Sequence, residues 1–252
     1  MNDIIKSILD TAYLNKDGHI ASSLSILDIL YSLYSTELYD DSDIDRNRLI
    51  LSKGHSSLGL YAILNKFNKL DEPLANFCQF DSMLGGPPTN KIRHIEASTG
   101  SLGHGLPIGV GMALAYKILG YTKRIYVVIG DGELNEGSNW ESLLLGSHHK
   151  LNNLVCILDY NRSTDRAVAL DNIYDKIKSF NWCVMEVDGH NSDELLQAFS
   201  LKTEDEPVFI IANTIKGKGI RIMENNPEWH HKTPNEEEYK QILKEINYGI
   251  NI

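Results

Sequence analysis

Two glycines flank a carboxylate in the segment Gly130-Asp131-Gly132-Glu133, which follows an apolar run ending at Ile129. Glycine lets backbone amides approach phosphate oxygens closely, and the N-terminus of a following helix favours negative charge. Asp131 is then available to bind a cation that neutralises a diphosphate. An isolated segment of this kind is more often an ordinary glycine-rich turn in which the aspartate caps a helix.

A second polar side chain follows the next apolar run. Asn161 closes the segment Asp159-Tyr160-Asn161 and lies thirty residues after Asp131. If the two runs form neighbouring parallel strands, Asp131 and Asn161 meet at one edge of the sheet. A hard cation such as Mg²⁺ prefers oxygen ligands and often takes only one or two from protein side chains. The pair therefore predicts a magnesium site beside a diphosphate.

Hydrophobic patterning indicates the elements that position these residues. Apolar residues at helical spacing predict helices over 4–12, 24–34, 56–65 and 109–119, while 81–107 is too long for an ordinary loop and is predicted to be functional. Asn235 and Glu238 predict a capping box at a last helix. Five apolar runs predict strands: 48–52, 124–129, 154–159, 183–187 and 208–213.

Strands that alternate with helices predict an α/β fold with right-handed crossovers. The sheet is expected to be mostly parallel, with helices on both faces and the ligand outside the carboxyl ends of the strands. We expect residues 1–252 to form a single domain, since this length suits one large α/β domain.

Composition excludes several classes of function. The formal net charge is −10 and the sequence pI is about 5.3, so the chain offers no general basic surface for nucleic acid or an anionic membrane. No run of eighteen apolar residues and no signal peptide is present. The three cysteines show no metal-binding spacing. We predict a soluble cytoplasmic protein with reduced cysteines.

Several segments together resemble the transketolase family of thiamine-diphosphate enzymes. The spacing of Asp131 and Asn161 is similar to the cofactor signature of that family, and segment 223–230, MENNPEWH, resembles the N-terminal subunit of transketolases that are split into two chains. The resemblance covers nearly the whole chain and implies the thiamine-diphosphate-binding fold. Other segments that follow the family's order are 98–105, 130–137, 140–141, 150–154 and 216–219.

The resemblance implies the cofactors and the residues that hold them. Asp131, Asn161 and the backbone carbonyl of Ser163 correspond to the ligands of Mg²⁺ (or Ca²⁺), and Gly100 and Leu102 to residues that touch the aminopyrimidine ring. Thiamine diphosphate is the implied organic cofactor. The remaining residues implied to contact it are Gly130, Gly132, Asn161, His55 and His230.

The resemblance to transketolases also implies a role near the substrate for three histidines that follow a glycine or a tryptophan. The counterparts of His19, His55 and His230 line the diphosphate and the substrate channel of transketolases, where they donate hydrogen bonds and relay protons near neutral pH. His190, in Asp188-Gly189-His190, is as compatible with a structural hydrogen bond as with function. By resemblance Glu136 is expected at the interface between cofactor-binding halves, although acidic residues also suit a helix start.

Several positions differ from the pattern of the family. Pro87 replaces a histidine that contacts the donor sugar in transketolases, and proline cannot donate a hydrogen bond from its ring. His94 is a possible substitute. His104 replaces a usual glutamine, and its role as a cofactor contact or a turn residue stays open. Arg162 and Arg166 are compatible either with an acidic substrate or with solvent.

The glutamate that activates the cofactor in this family belongs to a pyrimidine-binding domain, which we do not find in the sequence. The resemblance therefore implies a separate C-terminal transketolase subunit that supplies it, active sites between chains and an α₂β₂ assembly. We expect the chain to be inactive by itself.

The implied reaction is transfer of a two-carbon ketol unit from a ketose or ketose phosphate to an aldose acceptor. One alternative keeps the split architecture but uses a 2-oxo acid, loses CO₂ and joins the acyl unit to an aldehyde or keto sugar, and the Pro87 change motivates it. The other alternative is a cofactor-binding module without chemistry, against which the retained aspartate, asparagine and histidines argue.

Overall fold

The computed structural model describes residues 1–39 and 44–248 of the chain. The helices in this part of the chain are α1 (Asn2–Asn15), α2 (Ile20–Ser25), α3 (Leu27–Thr36), α4 (Ser57–Lys66), α5 (Gly105–Leu119), α6 (Gly137–His148), α7 (Ile173–Lys178), α8 (Ser192–Ser200) and α9 (Glu236–Tyr248). The strands are β1 (Arg48–Leu51), β2 (Ile125–Gly130), β3 (Leu154–Tyr160), β4 (Cys183–Asp188) and β5 (Val208–Asn213).

All five strands belong to one parallel sheet with the order β1-β2-β3-β5-β4. The predicted strands are therefore confirmed. Strands β2 and β3 are neighbours, which is the arrangement that the predicted site at Asp131 and Asn161 requires. Strands β2 and β3 are buried along their whole length because helices cover both faces of the sheet. This explains why their sequences read as continuous apolar runs without alternation.

Alternate residues of each strand face two separate hydrophobic clusters. Tyr126 and Val128 of β2 pack with the N-terminal helices and with α8 and α9, whereas Val127 and Ile129 pack with α5, α6 and α7. The prediction of an α/β fold with helices on both faces is confirmed. None of the helices in the described residues is long and apolar enough to cross a membrane.

Two helix predictions need correction. The predicted helix over 24–34 is broken at Ile26, whose backbone leaves helical geometry at φ −101° and ψ 4°, so α2 and α3 are separate. Helix α5 begins at Gly105 and not at residue 109. Its first turn contains Pro107, which is tolerated there because the first backbone N–H groups of a helix have no partner within it.

Helices α5 and α6 pack against each other and present apolar side chains to solvent. Ile118, Leu119 and Leu144 expose more than half of their surface, at 76%, 63% and 59%, and Leu145 exposes 48%. These exposed apolar side chains, on two helices that contact each other, define one surface. We call it the α5–α6 apolar face.

Candidate active site

The carboxyl ends of four strands deliver polar residues to one edge of the sheet. Lys53 follows β1, Asp131 follows β2, Asn161 follows β3 and Lys216 lies just beyond β5. Because parallel strands end together, residues far apart in sequence converge here without any long loop.

A cavity of about 270 Å³ opens at this edge. It brings together all the residues that the sequence predicted to be catalytic, cofactor-binding or metal-binding, but not Glu136, which was predicted at an interface. Those lining residues are His19, His55, Gly100, Leu102, Gly130, Asp131, Gly132, Asn161, Ser163 and His230. The structure adds four residues to which the sequence assigned no role: Ser22, Lys53, Glu133 and Lys216.

The cavity wall contains two buried lysines as well as the carboxylates of Asp131 and Glu133. Lys53 and Lys216 are both buried, with 2% and 6% of their surface exposed. Burial, followed by the charge of Lys53, lowers the pKa of Lys216 to about 8. The Lys216 ammonium lies 2.7 Å from His230 Nδ1. Lys53 is paired with Asp159, so Lys216 is the buried ammonium group in this wall that points to an anion in the cavity.

Three imidazole rings cluster beside these lysines. The ring centres of His55 and His230 lie 5.3 and 5.5 Å from that of His19. Burial, followed by the charge of Lys53, lowers the pKa of His55 to about 2. Burial, followed by the charges of His231 and His230, lowers the pKa of His19 to about 4, and burial with Lys216 lowers that of His230. The rings are therefore neutral at physiological pH and can both donate and accept hydrogen bonds.

The proposed metal pair meets at Ser163. Asp131, with 3% of its surface exposed, accepts a hydrogen bond from the Ser163 hydroxyl at 3.3 Å, and Asn161 Oδ1 accepts one from the Ser163 amide at 3.1 Å. The backbone amides of Gly132 and Thr164 also donate to Asp131, at 2.8 and 3.3 Å. Within the described residues no cluster of three or more His, Cys, Asp or Glu side chains could hold a metal ion. A cation here would need further oxygens, which a diphosphate and water supply.

Asp159 lies beneath this pair and is fully buried. Lys53 forms an ion pair with its Oδ2, and the hydroxyls of Ser25 and Thr214 donate to its Oδ1. Asn161 Nδ2 donates to Oδ2 at 3.0 Å. Burial alone raises the pKa of Asp159, but the Lys53 charge and these hydrogen bonds outweigh burial and hold the pKa below its ordinary value.

Glu133 joins three segments of the site. Its carboxylate accepts hydrogen bonds from the Ser52 hydroxyl, from the Gly103 amide at 2.9 Å and from the Gly130 amide at 3.3 Å. Burial raises the pKa of this carboxyl, although the hydrogen bonds oppose the shift. Glu133 thus ties the turn after β2 to segment 98–105, which precedes and opens α5.

Segment 98–105 approaches the end of β1 very closely. A Cβ at Gly54 would lie 2.8 Å from the Gly100 amide nitrogen, and one at Gly100, where φ is +135°, would lie 2.8 Å from Pro87 Cβ. Larger residues are therefore excluded from both glycine positions. Pro87 packs against the predicted cofactor segment, and its ring offers no hydrogen-bond donor there.

Glu136 lies outside the cavity and is exposed, at the N-cap position of α6. A Cβ at Gly103 would lie 2.5 Å from Glu136 Cβ, which places the glutamate next to segment 98–105. It also lies at the start of one of the two helices that form the α5–α6 apolar face.

Other histidines occupy different places. His190 accepts a hydrogen bond from the Ile215 amide at 2.9 Å and contacts Asp28 at 2.7 Å, so it supports the loop after β5. His104 is exposed, and its ring lies 3.0 Å from the Leu102 carbonyl. His231, which the sequence did not single out, stacks on His19 with ring centres 4.4 Å apart.

A second cavity of about 580 Å³ adjoins the first. The two share Asn161, Ser163, Lys216 and His230. Arg162 and Arg166 line the second cavity and not the first.

Residues 2–251 match the family described as "Transketolase, thiamine diphosphate binding domain". The chain belongs to this family. Since the match spans nearly all 252 residues, the predicted membership in the transketolase family is confirmed, and the cavity at the carboxyl edge of the sheet lies in a thiamine-diphosphate-binding domain.

Curated transketolase subunits match the chain along most of their length. An apulose-4-phosphate transketolase subunit of Phocaeicola vulgatus is 35% identical over 97% of the chain and 92% of that protein. The protein of the same name from Actinobacillus succinogenes is 39% identical over 91% of the chain and 87% of that protein. Among solved structures, transketolase from Leishmania mexicana superposes with a TM-score of 0.86 at 26% identity, over 97% of the chain. The chain spans 40% of that single-chain transketolase.

Proposed function

We propose that the chain is the diphosphate-binding subunit of a split, thiamine-diphosphate-dependent transketolase. The observation that carries the proposal is the single cavity in which the predicted residues meet two buried lysines. The two curated relatives described above are similar in length to the chain and are each named as one subunit of a transketolase, which supports a two-chain enzyme.

The cavity suits the diphosphate end of the cofactor. Lys53, Lys216 and the neutral rings of His55 and His230 supply hydrogen bonds and charge to phosphate oxygens, and the backbone of 130–132 approaches without side chains at its two glycines. Gly100 and Leu102 line the same cavity and are proposed to contact the aminopyrimidine ring.

Asp131 and Asn161 are proposed to bind Mg²⁺, or Ca²⁺, together with the Ser163 backbone carbonyl. An oxygen of each side chain accepts a hydrogen bond from Ser163, so the two oxygens lie near the same residue. Carboxylate and amide oxygens are the ligand types that Mg²⁺ and Ca²⁺ prefer. Two protein side chains leave room for diphosphate oxygens and water. The metal would therefore bind together with the diphosphate.

When bound, thiamine diphosphate supplies an electron sink for breaking and forming carbon–carbon bonds. The chain's own contribution is to orient substrate hydroxyls and to move protons, for which His19, His55 and His230 are proposed. Their depressed pKa values keep the rings neutral, so each can accept a hydrogen bond at one nitrogen while it donates one at the other.

A C-terminal subunit is proposed to complete the site, in an α₂β₂ assembly. The exposed Glu136 beside segment 98–105 lies next to the cofactor cavity, and the α5–α6 apolar face lies towards the C-terminal ends of the same two helices; together they offer a surface for another chain. The partner would supply the activating glutamate and contacts to the substrate phosphate.

The proposed reaction transfers a two-carbon ketol unit between sugar phosphates. Both curated relatives are named for a sugar phosphate, which favours this reaction over the use of a 2-oxo acid. Pro87 is the observation that keeps the 2-oxo acid reaction worth testing, since it removes a hydrogen-bonding side chain near Gly100.

The test is reconstitution with a C-terminal transketolase subunit from the same organism. We expect co-purification, a mass of two copies of each chain by light scattering, and ketol transfer from a ketose phosphate that needs both chains, thiamine diphosphate and Mg²⁺. Full activity of the isolated chain would refute the split enzyme. Release of CO₂ from pyruvate without turnover of any ketose phosphate would establish the 2-oxo acid reaction instead.

The metal assignment has a separate test. Asp131→Ala should abolish the Mg²⁺-dependent rise in unfolding temperature that thiamine diphosphate gives the isolated chain. An unchanged rise in this variant would show that Asp131 is not a ligand. Binding of cofactor without any turnover by the reconstituted pair would favour a non-catalytic module.

A further inference from the structure

The Asn161 side chain is held in one orientation by groups on its inner side. Its Nδ2 donates to Asp159 Oδ2 at 3.0 Å and to the Ser25 hydroxyl at 3.1 Å, while its Oδ1 accepts the Ser163 amide at 3.1 Å. Both inner partners act as acceptors here, so the amide nitrogen must face inward and the amide oxygen must face the cavity. Rotation of the amide by half a turn would place oxygen against oxygen.

Both oxygens of Asp159 are fully used. Oδ1 accepts from Ser25 and Thr214, and Oδ2 accepts from Lys53 and Asn161. Its charge is matched by that of Lys53 in a pair that is almost completely buried, at 2% and 0% exposure of the two side chains. The carboxylate therefore has no oxygen left to offer a cation in the cavity, although it lies only two residues from Asn161.

We propose that Asp159 and Ser25 are positioning residues that orient the Asn161 amide so that its oxygen, and not its nitrogen, faces the metal. The inference rests on the magnesium site proposed above. An amide side chain is nearly symmetric in shape, so packing alone does not distinguish its two ends. Hydrogen-bond partners behind a ligand are the means by which proteins fix such a choice.

The Ser25 and Thr214 hydroxyls make a matched comparison. Both donate to the same oxygen of Asp159, but only Ser25 also accepts from Asn161. Neither lines the 270 Å³ cavity. Ser25→Ala and Thr214→Val thus remove equivalent support from Asp159, and only the first removes a partner of the amide.

Calorimetry measures the Mg²⁺ concentration that gives half-maximal binding of thiamine diphosphate to the full chain. Binding in the presence of a chelator is the metal-free control, and the unfolding temperature of each variant controls for loss of folding. Ser25→Ala should raise this concentration about three- to tenfold, the range that one neutral hydrogen bond allows, and Thr214→Val less than about twofold. Binding in chelator should not change. Equal shifts in both variants, or none in either, would overturn the proposal.

A second pair of variants avoids an unpaired buried charge. Lys53→Met with Asp159→Asn, and Lys53→Met with Asp159→Leu, both lack the ion pair, but only the first keeps an oxygen for Asn161 Nδ2. The leucine variant should need more Mg²⁺ than the asparagine variant by a similar three- to tenfold. Equal requirements would overturn the role of Asp159.

Asn161→Ala separates the positioning proposal from the metal assignment. If Asn161→Ala leaves the Mg²⁺ requirement unchanged, the proposed magnesium site fails and the positioning role fails with it. If Asn161→Ala raises the requirement while Ser25→Ala and the leucine variant do not, only the positioning role is refuted.

Discussion

Lys216 makes the affinity for a diphosphate depend on pH in a way that can be calculated. Its pKa of about 8 in the free chain results first from burial and then from the neighbouring Lys53 charge. An anion beside the ammonium raises that pKa, so the bound form keeps its proton. Affinity is therefore fully present below pH 8 and is lost as the pH rises through this value.

The size of the effect follows from the protonated fraction of the free chain. With a pKa of about 8, Lys216 is about three quarters protonated at pH 7.5 and about one tenth protonated at pH 9. The dissociation constant of thiamine diphosphate should rise about eightfold between these pH values. His19, His55 and His230 are neutral throughout this range and add no step, since their pKa values are lowered.

The assay is calorimetric titration of the chain with thiamine diphosphate at constant Mg²⁺ and ionic strength. Lys216→Arg is the matched control because arginine keeps its charge across the range, so its affinity should be flat from pH 7.5 to 9. Lys216→Met should bind weakly at both pH values. A flat wild-type profile, or an eightfold loss that persists in Lys216→Arg, would refute the reasoning.

Three further predictions concern the frame of the site. Glu133→Gln should lower the free energy of unfolding by about 1–3 kcal/mol. The Gly103 and Gly130 amides donate to different oxygens of the carboxylate, and a glutamine side chain has only one oxygen. Thermal unfolding measures the loss, and an unchanged unfolding temperature would contradict it. Gly103→Ala should weaken cofactor binding, since its φ of +81° and the Glu136 side chain exclude a Cβ; calorimetry with unchanged affinity would count against it. Asn235→Ala should cost about 1 kcal/mol in chemical denaturation by removing the capping box with Glu238, and the assignment fails if stability is unaffected.

The architecture was predictable because its signals are local. Each strand is a short apolar run, and each glycine-rich turn marks where a strand ends. Parallel topology then places Asp131 and Asn161 together without knowledge of any side-chain contact. The capping box at Asn235 was predicted in the same way and is present, with reciprocal hydrogen bonds of 2.9 Å to Glu238.

The support beneath the site was not predictable, because it joins residues that lie far apart in sequence. Lys53 and Asp159 are 106 residues apart, and Ser25 and Asp159 are 134 apart. A lysine in a sequence is far more often exposed than buried, so nothing local distinguished Lys53 and Lys216 from a surface charge. Only the fold shows that two strand ends bring them into one cavity.

The corrected helix boundaries have a common cause. Helical patterning did not reveal the break at Ile26 because apolar residues continue in register across it. The break lies next to Ser25, whose hydroxyl bonds Asp159 at the sheet edge. Similarly, glycines concealed the start of α5, where a Cβ at Gly105 would lie 2.3 Å from Ser52 Oγ. At Ile26 and at Gly105 the helix boundary is set by close packing at the site and not by the helix propensity of the local sequence.

The α5–α6 apolar face bears on how the chain can be produced in a cell. Synthesised in excess of its partner, the chain presents several leucine and isoleucine side chains to water, and self-association then competes with assembly. The recoverable yield should therefore follow the ratio of the two messages and not the amount of this one alone. Matched expression of the two chains from a single operon would limit this self-association. Polar substitution at Leu119 and Leu144 would raise the solubility of the chain alone but impair its assembly with the partner.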